Sequence, residues 1–213
     1  MEIPTKINNI IQRILKSEDE WKALYMASWG CVLHWLEPEF KVKHPDLWEK
    51  ALRLGLPASK KKYQEYTPAE LCGILKSKDT EFTLGHLQTL FSLFEELVNE
   101  LCPLVCDGQE IRSYKFENLK KFLSGDKPYD GFKINITEND FKELELAKET
   151  RNCFIHNNSK VDEHWLEAFR EARDKNSTAQ IGDKLPVNFY QIEDWHELVV
   201  KIISKIKKTV INL

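Results

Sequence analysis

The sequence predicts an all-α fold. Eight glycines and eight prolines are few for 213 residues, and long stretches hold neither. Leu, Glu, Lys and Ile are abundant, which favours helix. Apolar residues recur at three- and four-residue spacing, the mark of amphipathic helices. The length suits one helical domain over 1–213, read as an N-terminal helical extension over 1–80 and a helical core over 82–211.

The elements follow in order. Ile7, Ile10, Ile11, Ile14 and Leu15 line one face of a short helix over 5–16. Ser17, with Glu20 three residues on, reads as the cap of a second helix. That helix carries Trp21, Leu24, Tyr25 and Cys31 inward and ends at Pro38. Residues 38–66 read as irregular or as short helical pieces. Their run Lys60-Lys61-Lys62 beside Tyr63 and Tyr66 fits either a solvated loop or an RNA contact. Thr67-Pro68 opens a helix that Lys76–Thr80 should interrupt as a linker. A strongly apolar core helix follows over about 82–102, with Glu95, Glu96, Asn99 and Glu100 along it.

A long connection then contains a short helix, YKFENLKKFL, stopped by Ser124-Gly125, and a turn at Pro128-Tyr129-Asp130-Gly131. Asp162 caps a helix that carries Trp165, Leu166 and Phe169 inward. Residues 176–189 read as extended and leave room for a small β-hairpin near 178–189, through Gly182-Asp183. A final helix over about 190–210 closes the bundle.

The informative stretch is 137–160, TENDFKELELAKETRNCFIHNNSK. Thr137 with Asp140 forms a capping-box-like start. At ~100° per residue, Phe141, Leu144, Ala147, Phe154 and Ile155 share an arc, and Arg151 falls inside it. A guanidinium in an apolar stripe needs a partner, a wet cleft or an interface, because burying it unpaired is costly. Glu95 and Asn99, four apart on the core helix, could each face it, although a solvated acidic face is the simpler reading. Asn152, His156, Asn157 and Asn158 then crowd the helix end.

Arg151-Asn152-x-x-x-His156 resembles the R-x4-6-H motif of the HEPN superfamily, helical domains found in many RNA-cleaving toxins and defence proteins. In that family the motif sits late in a long helix, and a polar residue often follows the Arg. The resemblance implies a HEPN-like helical bundle and a metal-independent endoribonuclease that needs no cofactor. RNA supplies its own 2'-hydroxyl nucleophile and is left with a 2',3'-cyclic phosphate. His156 would move protons, Arg151 would hold the phosphate oxygens, and Asn152 would orient one or the other. Asn157, Lys120 and Lys121 are candidate substrate contacts, and Arg170 and Arg173 could lie near the site. Arg151 and His156 stand ~140° apart on an ideal helix, so one undistorted face cannot present both. HEPN domains pair these helices across a twofold axis, and a homodimer through the Arg151/His156 helix is expected. One toxin branch has R-x4-H-x-Y; Asn158 stands at the Tyr position here, so neutralisation by tyrosine modification is not expected. The family also contains non-catalytic nucleotide- or RNA-binding and dimerisation modules. A structural Arg and a helix-capping His are the plain alternative.

The formal charge of −3 confines any RNA contact to local basic patches. No apolar run spans a membrane, and the N-terminus lacks signal-peptide form, so a cytoplasmic protein is expected. Five scattered cysteines do not form a disulfide framework. Cys31-x-x-His34 and Cys102-x-x-x-Cys106 are weak metal hints on apolar segments, where buried thiols are the default. His34 reads first as a core or edge histidine. A toxin or phage-defence role, and an antitoxin partner, follow only from the resemblance.

Overall fold

A computed structural model describes residues 4–35, 68–173 and 178–211. They form six helices: α1 (Thr5–Trp35), α2 (Pro68–Val105), α3 (Phe116–Ser124), α4 (Glu138–His156), α5 (Glu163–Ala172) and α6 (Phe189–Ile211). No described helix is long and apolar enough to cross a membrane. The chain divides into two compact units: residues 1–17 with 83–213, and residues 18–82. Of the second unit the described part is helical, with Trp21 buried. Residues 38–66, with the Lys60–Lys62 run, lie outside the described residues.

Two expected breaks are absent. α1 runs through Ser17, whose hydroxyl donates to the Ile14 carbonyl at 2.8 Å instead of capping a new helix. Serine bonded back to its own helix adds no stop signal. α2 likewise continues through 76–80, where polar residues without Gly or Pro leave the helix uninterrupted.

In the larger unit, Ile7, Ile10, Ile11 and Ile14 of α1 are buried, as is the apolar run Leu84–Leu101 of α2. Lys6–Glu100 at 2.7 Å and Arg13–Glu96 at 3.3 Å tie the two helices together. α4 packs against α3, α5 and α6. Its N-terminus is capped as its sequence predicts, with the Thr137 hydroxyl accepting from the Asp140 amide at 3.1 Å. Asp162 caps α5 by accepting from the Trp165 amide at 2.9 Å. Gly125 ends α3 at φ 71°, where a Cβ would lie 2.7 Å from the Phe132 carbonyl oxygen. Both the left-handed conformation and the close approach require glycine there.

The α4–α5 joint is tight and polar. The Thr150 hydroxyl donates to the Leu146 carbonyl at 2.8 Å and accepts from the Trp165 indole N–H at 2.9 Å. Trp165 also stacks on Phe169.

No β-hairpin forms within 178–189. Among the described residues there is no strand, and the 182–185 segment pairs instead with the chain leaving α4. Lys160 and Lys184 form an isolated antiparallel bridge, and Leu185 donates to the Ser159 carbonyl at 2.9 Å. Gly182-Asp183 does make a turn, closed by the Asp183 amide on the Gln180 carbonyl at 3.1 Å. Local turn chemistry was readable, but its backbone partner came from a remote segment.

Candidate functional site

α4 carries the site because its two ends meet different surroundings. Phe141, Leu144, Leu146, Ala147, Lys148, Thr150 and Cys153 are buried. The burial is wider than the predicted arc along most of the helix and narrower at its end. There Phe154 is half-buried and Ile155 is 38% exposed. The last turn of the apolar arc is therefore only partly covered beside Arg151.

Arg151 is half-buried, with 17% of its side chain exposed, and faces Glu95 of α2, whose side chain is 14% exposed. Of the two proposed partners it is Glu95 that meets it, at 3.6 Å from Nη2 to Oε2, while Asn99 is exposed. The neighbouring Glu96 and Glu100 are taken by α1. Arg151 Nη1 donates to the Asn152 amide oxygen at 3.2 Å, and Asn152 Nδ2 donates to Glu149 at 3.1 Å. The cation on one side and the carboxylate on the other fix which way the amide points. Glu149 then approaches Lys148 at 3.7 Å.

Glu95, Arg151, Asn152, Glu149 and Lys148 thus form one chain of carboxylates and cations joined at its centre by the neutral Asn152 amide. Its finish is incomplete: Arg151 Nε and Glu95 Oε1 are buried with no hydrogen-bond partner. Buried polar groups are normally satisfied, so two open positions on one ion pair are unusual.

Lys148 was not singled out from the sequence, yet its side chain is only 5% exposed. The available signal was its place one turn before Arg151 on the same face.

His156 is the last residue of α4 and is exposed. α4 stays helical to that point, so Arg151 and His156 remain on different faces of one helix. Beyond it Asn158 and Ser159 adopt φ 51° and 60°, and the Ser159 amide returns to the Cys153 carbonyl at 3.1 Å. Consecutive left-handed residues other than glycine are uncommon and mark a locally constrained turn. Asn157 is occupied in this turn, its Nδ2 donating to the Lys160 carbonyl at 3.0 Å.

The other predicted contacts lie elsewhere. Lys120 pairs with Glu138 at 3.1 Å and sits over the Phe141 ring. Glu138 is ~20 Å along α4 from Arg151 at 1.5 Å per residue. Lys121 pairs with Glu117 on its own helix at 3.4 Å. Arg173 is held by Glu143 at 2.8 and 2.9 Å, and Arg170 is exposed. Arg173 lines an open cleft of about 470 Å³ with Asp140, Glu143, Trp195, Leu198 and Lys201. Burial disfavours the Asp140 carboxylate there, but bonds from Lys201 and at Thr137 prevail and hold its carboxyl below the usual range.

Cys102, Cys106 and Cys153 are free and buried, and no group of three or more potential ligands gathers among the described residues. Burial first, then a bond to Asp162, pushes the Cys153 thiol up to about 12. Burial and the neighbouring Cys106 do the same to Cys102. The side chains of Cys31 and His34 lie outside the described residues. A second group unflagged by the sequence is the buried pair His86 and His196, 2.9 Å apart between ring nitrogens. Burial, then His196, lowers His86 to about 3.

No protein-family model, curated protein or solved structure matches the chain. The site stands on its own residues.

Proposed function

We propose that the chain is a HEPN-type, metal-independent endoribonuclease whose working unit is a homodimer joined at the C-terminal half of α4. The observation that carries this reading is Arg151 with Asn152, half-buried beside Glu95, one turn before an exposed His156. A guanidinium held at the edge of the core offers a planar fork for phosphate oxygens. An exposed imidazole is a side chain suited to proton transfer near neutral pH.

In the reaction the RNA 2'-hydroxyl oxygen attacks the adjacent phosphorus. The 2'-proton passes to a base, the P–O5' bond breaks, and the leaving 5'-oxygen takes a proton from an acid. The products are a 2',3'-cyclic phosphate and a 5'-hydroxyl. His156 serves as base or acid, a role typically worth ~10²–10⁴ in rate. Arg151 stabilises the charge that builds on the phosphate oxygens. The ~140° between the two side chains is bridged by a second copy, which brings its own His156 to the Arg151 side. The half-covered Phe154 and exposed Ile155 supply apolar contact for that approach.

The Arg151–Glu95 pair favours the plain alternative, a helical structural protein in which the pair only holds the fold; a non-catalytic RNA- or nucleotide-binding or dimerisation module, in which Arg151 and His156 hold phosphate or build the dimer, is the other alternative. The separating experiment incubates purified wild type and His156→Ala with a mixed RNA pool in EDTA and analyses product ends. Cutting by wild type alone, leaving cyclic phosphates, is the expected result. Equal activity in both removes His156 from the mechanism. No cutting by either favours the binding module. A role in toxin–antitoxin or phage-defence systems belongs to the same proposal and would be tested by growth arrest on expression.

A further inference from the structure

The acidic row of α2 is divided between its neighbours. Glu96 and Glu100 are tied to α1, and Glu95 is the member of that row that meets Arg151. The pair it makes is poor. Its closest approach, 3.6 Å, is well outside the ~2.7–2.9 Å of a charge-assisted hydrogen bond. One Glu95 oxygen and Arg151 Nε are left without partners. The chain makes a good Arg–Glu pair elsewhere: Arg173 grips Glu143 through Nε and Nη2 at 2.8 and 2.9 Å. The difference is therefore local to the site.

A carboxylate is nevertheless needed there. Lys148 and Arg151 lie one turn apart on a largely buried face, and like charges so placed repel. Glu149 balances one and Glu95 the other. Arg151 is meanwhile anchored independently through Nη1 on Asn152, which Glu149 holds in turn. The guanidinium thus keeps its place if Glu95 lets go.

We propose that Glu95 is a displaceable counter-ion, which occupies the anion seat of Arg151 in the empty protein and is exchanged for a phosphodiester oxygen when RNA binds. This rests on the reading of Arg151 as a phosphate ligand. It adds that Glu95 competes with substrate, so removing its charge tightens binding rather than weakening it. A Glu95 that positions Arg151 for phosphate has the opposite sign.

The test measures binding of a 2'-O-methyl RNA oligonucleotide, which has no free nucleophile and so separates this exchange from any failure of the cleavage reading. Wild type, Glu95→Gln, Arg151→Ala and the double variant form a cycle. Glu95→Gln tightens binding about two- to fivefold, the worth of a weak ion pair. In the Arg151→Ala background the same change has no effect. Tightening that persists without Arg151 overturns the exchange in favour of general repulsion. Weaker or unchanged binding in Glu95→Gln overturns it in favour of a positioning role, and absence of binding by both wild type and Glu95→Gln overturns it outright.

A measurement on the unsubstituted protein guards against a misfolded variant. Inorganic phosphate is titrated while the Arg151 Nε–H signal and the Glu95 carboxyl carbon are followed by NMR. Both move together with one midpoint if the carboxylate is exchanged. An Arg151 signal that moves while Glu95 stays still, or no movement of either, rejects the proposal.

Discussion

The two ends of α4 are built from the same residue types and finished differently. At the N-terminal end, Lys201 reaches both Asp140 oxygens at 3.0 Å, Arg173 takes Glu143 through two nitrogens, and the Trp195 indole adds a third donor at 3.1 Å. At the C-terminal end, Arg151 meets Glu95 once at 3.6 Å, and an atom on each is left over. The more exposed pair is the better made. Burial ordinarily demands the reverse, because an under-satisfied charge costs most where water is excluded. The first end is finished as structure, and the second leaves two buried polar atoms without a partner.

The sharpest way to break that contrast is to remove each arginine in turn. Arg151→Ala should lower RNA cleavage ~10²–10³-fold, the usual cost of losing a preorganised donor. Arg173→Ala should leave turnover within about twofold, since no chemistry is assigned to its end of the helix. Similar losses in both would erase the distinction.

Thr150→Val probes the structural layer under the site. It strands the buried Trp165 N–H and should cost about 1–3 kcal/mol, read from the denaturant midpoint at unchanged m-value. If stability holds, the α4–α5 joint does not depend on that bond.

Acid should act through His86, whose folded pKa of about 3 lies below its ordinary 6.5. Between those values the unfolded chain binds the extra proton, so the stability from keeping His86 neutral is complete above pH 6.5 and is lost as pH falls toward 3. On the order of 1 kcal/mol should be gone about one pH unit below the ordinary histidine value. His86→Phe should flatten this pH dependence, and an unchanged slope would assign the acid sensitivity to other groups.

The smallest effect is expected at the well-made pair. Glu143→Gln should cost about 0.5–1 kcal/mol, because Arg173 is partly exposed and water screens it. A larger loss would show that the Trp195 bond to Glu143 matters more than the ion pair.

Much of this was legible in the sequence where the signal is local. Thr137, Asp162 and Gly125 act at the boundaries their chemistry predicts, and the Ile7–Ile14 stripe and the Leu84–Leu101 run are core. Arg151 stood out because a charge interrupted an apolar arc, and Glu95 was one of two partners at suitable spacing. The rest depends on contacts distant in sequence. Ser17 can cap or bond backward, and nothing local decides between them. The 182–185 turn takes its backbone partner from 159–161 rather than from its own flank. Lys148 and the His86–His196 pair are buried by helices that no periodicity in their own segments identifies.

Cys153 adds a practical consequence. Its backbone carbonyl receives the amides of Asn157 and Ser159, and its side chain is sealed in the helix that carries Arg151 and His156. Buried, and with its thiol pushed up to about 12, it holds little thiolate at neutral pH, so a thiol reagent must wait for the helix end to open. Its labelling rate, set against those of Cys102 on α2 and Cys106 just past the end of α2, is a built-in clock for how often the C-terminal end of α4 unlatches compared with the rest of the core.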